Sequence, residues 1–420
     1  MNELSTAVLT PEQPVKQMQM ETSTRETAGH YNVAMGYLRA FITVLVVAHH
    51  AVLAYHPYAP PPSPGFTSQP LLWTAFPIVD SRKFPGSDLF VGFNDIFFMS
   101  LLFFISGLFV WPGLVRKGAG HFVRDRMLRL GIPFLVATGV LAPLAYYPAY
   151  YVTGADPSLA AFWKQWLSLG TWPAGPAWFI WLLLAFGCVA ALFYQLAPRW
   201  GESLRRVTLA AGHRPITFYG LLVVLSAAAY LPMALAFDPA RWINFGPFSV
   251  QICRLLHYAV YFSLGIGVGA CGIDRGLLAP DGSLARRWPL WSAASLVMFG
   301  LAIVAFLSYV GAMMKGPVSR GFVMLLNSTF ALSCAASGFA FLALFVRFAR
   351  KRVAVFDSLS RNAYGIYLVH YVFVNWLQLA LLGAAMAGAA KGIIVFAGAL
   401  ILSWGVTAIL RCIPTVGRII

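Results

Sequence analysis

The sequence predicts an all-α polytopic membrane protein of about ten transmembrane helices, with both termini in the cytosol. Three observations predict it. Hydrophobic residues make up 59% of the 420 positions and charged residues only 10%, against about 25% charged in an ordinary soluble domain. A chain so poor in charge cannot clothe a water-facing surface, so lipid is its solvent. Apolar runs of about 20 residues or more, the length that crosses the hydrocarbon of a bilayer, recur ten times. Lys and Arg gather in alternate loops, nineteen in the segments assigned to the inside and seven in those assigned to the outside, and this asymmetry sets the orientation.

The elements follow in order. Residues 1–33 are polar, with Glu3, Glu12, Lys16, Glu21, Arg25 and Glu26, and read as a disordered cytosolic tail. No short apolar core follows a basic start there, so the tail is not a secretory signal. Spans are expected at 34–56, 89–113, 130–152, 174–197 and 215–237, then at 251–272, 289–311, 323–347, 362–384 and 392–412. No soluble domain fits between them. Residues 34–412 therefore form a single transmembrane domain, and 413–420 a short cytosolic tail. The longest outer segment contains HPYAPPPSPGF, where Pro57, Pro60, Pro61, Pro62 and Pro64 forbid helix and favour extended backbone. It either covers an outward-facing cavity or serves as a stiff connector.

The net charge of +16 lies mainly in short inner loops. It is a topology signal first, and nucleic acid is not an expected partner. Its second effect is to attract anionic headgroups or polyanionic cytosolic ligands. The cysteines, Cys188, Cys253, Cys271, Cys334 and Cys412, lie in or beside apolar runs and form no CxxC pair. They read as small hydrophobes rather than as a disulfide framework or zinc site, and no metal is expected.

Ionisable groups inside spans are costly and are candidates for function. In the first span, Arg39 lies about one turn from the cytosolic end and His50 follows 11 residues later. At 100° per residue the two fall within about 20° of one line, roughly 16 Å apart, while His49 points about 80° aside. A cation near the cytosolic face suits an anionic cofactor group, and a deeper neutral imidazole suits a general base. A snorkelling Arg39 and a packed His50 satisfy the same spacing. Arg126 and Arg129, three apart in the first inner loop, share a helical face that suits a phosphate-rich ligand such as coenzyme A. Asp95, the one carboxylate placed well inside a span, is expected either to cap a helix N-terminus, the favoured role, or to orient His50. Arg254 and His257 share a face of the sixth span, and His370 lies in the ninth. Either set could line the same cavity, or serve packing alone.

These residues and their order resemble the acyltransferase-3 family of integral membrane acyltransferases. The resemblance rests on Arg39 and His50 in the first span and on DIFFMSLLFFISGLFVW with Ser106 and Gly107 in the second. It continues through FVRDRMLRLGIPFL with Arg126, Arg129 and Pro133, GPAWFIWLLLAF with Trp178 and Phe179, and SRNAYGIYLVHYVF ending near His370. Matching segments run from about residue 31 to 412. The second-span spelling and GPAWF look closest to branches that modify periplasmic glucans. The variants with an attached extracytoplasmic hydrolase-like domain are not expected, since none follows residue 412.

The resemblance implies a bacterial inner-membrane enzyme. It would move an acyl group, acetyl or succinyl, from cytosolic acyl-coenzyme A to a hydroxyl of an extracytoplasmic or membrane-delivered glycan, lipid or metabolite. By that implication His50 deprotonates the acceptor or relays the acyl group, and Arg39 stabilises donor phosphate or thioester charge. Arg126 and Arg129 support the donor, and Arg254, His257, His370 and Trp178 bind substrate. Direct transfer and an acyl-enzyme both stay open. The rival is a transporter or flippase of a lipid-linked sugar. Proton-coupled transporters bury several carboxylates, and Asp95 alone is a poor relay. A structural or sensory role would leave the Arg39–His50 alignment without a purpose.

Overall fold

The computed structural model describes residues 32–420 apart from 198, 213 and 240, so the expected tail at 1–33 lies almost wholly outside the described residues. Each apolar run becomes helix because a span in lipid must satisfy every backbone polar group within itself. In chain order these are α1 (Val33–Leu53), α2 (Ser87–Gly107), α3 (Val110–Arg126), α4 (Ile132–Val136), α5 (Ala142–Tyr151), α6 (Leu159–Ser168), α7 (Trp178–Leu196) and α8 (Trp200–Gly212). There follow α9 (Pro215–Ala236), α10 (Leu255–Cys271), α11 (Ser283–Arg286), α12 (Trp288–Met313), α13 (Arg320–Phe348), α14 (Ala354–Leu381), α15 (Gly388–Leu410) and α16 (Pro414–Gly417). A two-stranded hairpin, β1 (Trp242–Phe245) paired antiparallel with β2 (Phe248–Gln251), leads into α10.

Among the described residues, nine helical stretches are long and apolar enough to cross a membrane. The remaining expected span, 362–384, lies in α14. That helix has the length at 28 residues, but Asn362, His370, Asn375 and Gln378 lower its apolarity. All four are buried, so their polarity faces protein rather than lipid. The expected third span is the last part of a continuous 42-residue stretch, Val110–Tyr151. Its first half carries Arg116, Lys117 and Arg124 and breaks at Gly118, whose φ of 73° suits glycine. Two π-helical turns, Met127–Gly131 and Ala137–Leu141, flank α4.

Two contacts fix the frame. A methyl group at Gly107 would overlap the Phe262 carbonyl, and one at Gly265 or Gly269 would overlap the Phe104 or Leu108 carbonyl. The α2 and α10 backbones therefore touch, the close approach by which small residues hold membrane helices together. This gives the Ser106–Gly107 pair a physical reason. Helices α1 and α14 run parallel and in register. Tyr37 Oη donates to Asp357 Oδ1 at 2.9 Å near one end, and His50 meets His370 at 3.2 Å thirteen residues further along both helices.

The proline-rich segment is anchored at both faces. Phe66 stacks on Trp73 with ring centroids 4.3 Å apart, inside a buried aromatic cluster with Tyr146 and Tyr150 of α5 and Phe162 and Trp166 of α6. Asp80 accepts from Lys391 Nζ of α15 at 2.7 Å, with both side chains at most 1% exposed. Pro60, Pro61 and Pro62 line a pocket of about 150 Å³ with Trp73, Phe76 and Leu382.

Candidate active site

Helix α1 places His50 one turn beyond Val46, and α14 presents His370 to it. His370 Nδ1 lies 2.7 Å from the Tyr367 carbonyl. A carbonyl only accepts, so Nδ1 carries the proton and Nε2 carries a lone pair. That lone pair faces His50 Nδ1 at 3.2 Å, and the Val46 carbonyl faces the same nitrogen at 2.9 Å. Both neighbours are acceptors, so His50 Nδ1 carries the hydrogen and shares it. His50 Nε2 is then the basic nitrogen. The tautomer is assigned by two helices rather than left to chance.

Polar residues of α14 hold this pair in place. Gln378 Nε2 donates to the His50 and Ala51 carbonyls at 3.0 and 3.2 Å, satisfying carbonyls in the last turn of α1 that lack helical partners. Asn375 Nδ2 donates to the Ala145 carbonyl at 2.9 Å. The Tyr371 ring packs edge-on to His50 at 5.1 Å. Sequence reading missed Gln378, Asn375 and Tyr371. Their signal was a polar stripe at three- and four-residue spacing inside an apolar run.

A narrow cleft of about 20 Å³ lies beside this helix. Small side chains line one wall, including Ala137, Ala142, Ala145, Ala174 and Ala177; Tyr367, Leu368 and Tyr371 of α14 line the other. The second π turn contributes Ala137 and Leu141, as π turns often do at functional sites. Trp172 Nε1 donates to the Thr138 carbonyl at 2.9 Å and Tyr367 Oη to the Pro176 carbonyl at 2.5 Å, bracing both rims.

The arginines stand at the other end. Arg126 lies with its guanidinium 5.0 Å from the Phe122 ring centre, and its stem fits beside Gly187, where an added methyl would come within 3.8 Å. The Arg129 carbonyl accepts from Tyr364 Oη of α14 at 2.7 Å. The first π turn intervenes between them, so their side chains diverge more than α-helical spacing implied. Arg39 is exposed near the start of α1. On α8, an Arg205 hydrogen bond at 2.7 Å holds the Glu202 carboxyl below the usual carboxylate range.

The other expected residues form a separate assembly. Asp95 lies eight residues into α2, which begins at Ser87, so the expected cap role fails. It does not orient His50 either. Its carboxylate takes both Arg254 Nη atoms, at 3.0 and 2.6 Å. Arg254 also lies over the Phe330 ring at 4.8 Å. His257 meets the same ring at 5.6 Å and places Nε2 3.5 Å from Cys334 Sγ. The two therefore share a face, but it is the α13 face and not the His50 side. Trp178 stacks with Tyr258 at 5.8 Å and meets Trp242 of the hairpin. His49 turns to Phe98 of α2 at 5.3 Å, away from His370. Among the described residues, no group of three or more His, Cys, Asp or Glu side chains is arranged to hold a metal ion.

The family model of the acyltransferase domain, acyltransferase family 3, matches residues 32–410 of the chain. No curated protein and no solved structure matches it.

Proposed function

The chain belongs to this family of membrane acyltransferases, and from that premise we propose that it transfers an acetyl or succinyl group from acyl-coenzyme A to a hydroxyl, with His50 as general base. The observation that carries the reading is the His50–His370 hydrogen bond. It leaves His50 Nε2 as the basic nitrogen, with His50 packed on Tyr371, a residue that lines the cleft.

In this reading Arg126 and Arg129 hold the donor phosphates, and the alanine-lined cleft widens to admit the pantetheine arm. Arg39 lies roughly 16 Å along α1 from His50, too far to touch a thioester held there, so its part is with donor phosphate. His50 Nε2 takes the acceptor hydroxyl proton as that oxygen attacks the thioester carbonyl. The C–O bond forms, the C–S bond breaks, and the departing sulfur receives the proton back from His50. The imidazolium formed on the way donates from Nδ1 to His370 and Val46, which strengthens both bonds. Trp178, Arg254 and His257 belong to a neighbouring polar region suited to the acceptor, a glycan, lipid or small metabolite. The enzyme sits in the bacterial inner membrane with both termini cytosolic, so the arginine end of the cleft opens to the cytosol.

Asp95 is held by Arg254, which removes the carboxylate a proton-coupled transporter would need. Purified protein in liposomes with acyl-labelled coenzyme A tests the reading. Label appearing on a hydroxyl acceptor, with free coenzyme A released in equal amount, supports it. Movement of a lipid-linked sugar across the bilayer without label transfer refutes it.

A further inference from the structure

On α14, Arg361, Tyr364, Leu368 and Tyr371 recur at intervals of three and four, so they share one face. Two of them, Leu368 and Tyr371, line the cleft, and Tyr364 lies next along the stripe. Tyr371 touches His50, Leu368 lines the wall, and Tyr364 reaches the Arg129 carbonyl. Arg361 is the next residue of that stripe, about one turn beyond Tyr364 and roughly 15 Å along the axis from Tyr371.

The acids at this end of the bundle have other partners. Asp125 is taken by Lys117, Glu202 by Arg205, Asp281 by Arg350 and Asp357 by Arg352, while Asp274 accepts from Asn32 at 2.6 Å. Among the described residues no acid lies within ion-pair reach of Arg126, Arg129 or Arg361. Arg361 is exposed, so an incoming ligand can reach it. Most basic residues at this end likewise lack an acidic partner, so what sets Arg361 apart is its place on the α14 stripe, one turn from the Tyr364 hydroxyl that reaches the Arg129 carbonyl. Guanidinium groups gathered at one end of a cleft suit a phosphate-bearing ligand.

We propose that Arg361 is the outermost phosphate anchor of the donor, reading the ribose 3′-phosphate of coenzyme A while Arg126 and Arg129 hold its diphosphate. This rests on the donor reading above. The order follows from the donor's own chemistry: thioester, pantetheine arm, diphosphate and ribose phosphate run in the same sequence as His50, the cleft, the Arg126–Arg129 pair and Arg361.

The test is equilibrium binding of coenzyme A and of 3′-dephospho-coenzyme A to the full chain in phosphatidylcholine nanodiscs. Wild type should prefer coenzyme A. Arg361→Ala should weaken coenzyme A binding about tenfold or more, leave dephospho-coenzyme A unchanged, and so erase the preference. Arg361→Lys should restore part of it. Arg126→Ala should weaken both ligands. If Arg361→Ala weakens both ligands equally, or neither, the assignment to the 3′-phosphate falls while the donor reading stands. If wild type binds neither ligand, the donor reading itself falls. A loss seen only when phosphatidylglycerol is added to the nanodiscs would make Arg361 a lipid-headgroup site and overturn the assignment.

Discussion

Replacing His370 with Phe tests the tautomer argument directly. Phenylalanine keeps a ring in a site that is 0% exposed, so little volume is lost, but the Nε2 acceptor that faces His50 Nδ1 at 3.2 Å disappears. Hydrogen bonds to a charged partner contribute about 1.5–3 kcal/mol. The bond in question strengthens as His50 becomes imidazolium, so its loss falls on the transition state and should lower kcat by roughly 10- to 150-fold. The donor KM should hold, because His370 touches no part of the arginine end. His50→Ala should cost about 10²–10⁴ in turnover. The double variant should be no worse than His50→Ala, since His370 acts through His50. The assay is acyl transfer in liposomes, normalised to folded protein and accompanied by a melting temperature for each variant. A folded His370→Phe enzyme with wild-type kcat refutes the positioning role. So does a double variant whose deficit is the product of the two single deficits.

Four further outcomes follow from the same geometry. His49→Ala should cost much less turnover than His50→Ala, because His49 faces Phe98 and not the cleft; the reverse order in the same assay would remove His50 as the base. The Arg126→Ala, Arg129→Ala double variant should raise the donor KM roughly tenfold or more with acceptor use little changed, and an unchanged KM would leave these residues as topology determinants. Lys391→Met should destabilise by about 3–5 kcal/mol by leaving Asp80 charged and buried, while Lys391→Met with Asp80→Leu should recover most of that in thermal unfolding; equal losses in both would show that the pair is not the cause. Cysteines placed singly at Ser63 and Ser283 should be labelled from opposite sides of an intact membrane, and same-side labelling would overturn the proposed topology.

The sequence displays what is local and hides what is remote. Nine spans are legible because twenty apolar residues in a row have one solution in lipid. Helix α14 is less so, since its polar residues face protein contacts that no local window contains. The divergence of His49 from His50 follows from 100° per residue and reappears as contacts with different helices. The partners of each polar group are not legible, because Asp95 and Arg254 are 159 positions apart, and His50 and His370 are 320 apart. The Asn-Asp step at 94–95 imitates a helix cap, yet the helix starts at Ser87. The two π turns leave no composition signal of their own, although both adjoin α4, which carries Pro133.

Burial in a membrane sorts these side chains by a physical criterion. A polar or charged group held in apolar surroundings must be neutralised by a partner or it weakens the fold. Asp95 has Arg254, and Asp80 has Lys391. His370 has both ring nitrogens engaged, one by Tyr367 and one by His50. The proposed donor site draws on groups outside these pairings. In that proposal His50 Nε2 serves one end, and Arg126, Arg129 and Arg361 serve the other. A ligand that completes both ends must be anionic in its tail and reactive at its head, with a slender neutral arm between. A flipped lipid-linked sugar needs polar contacts that release it on either side of the bilayer. A thioester donor needs its tail held fast while its head meets a base, and this is the asymmetry of the proposed donor site.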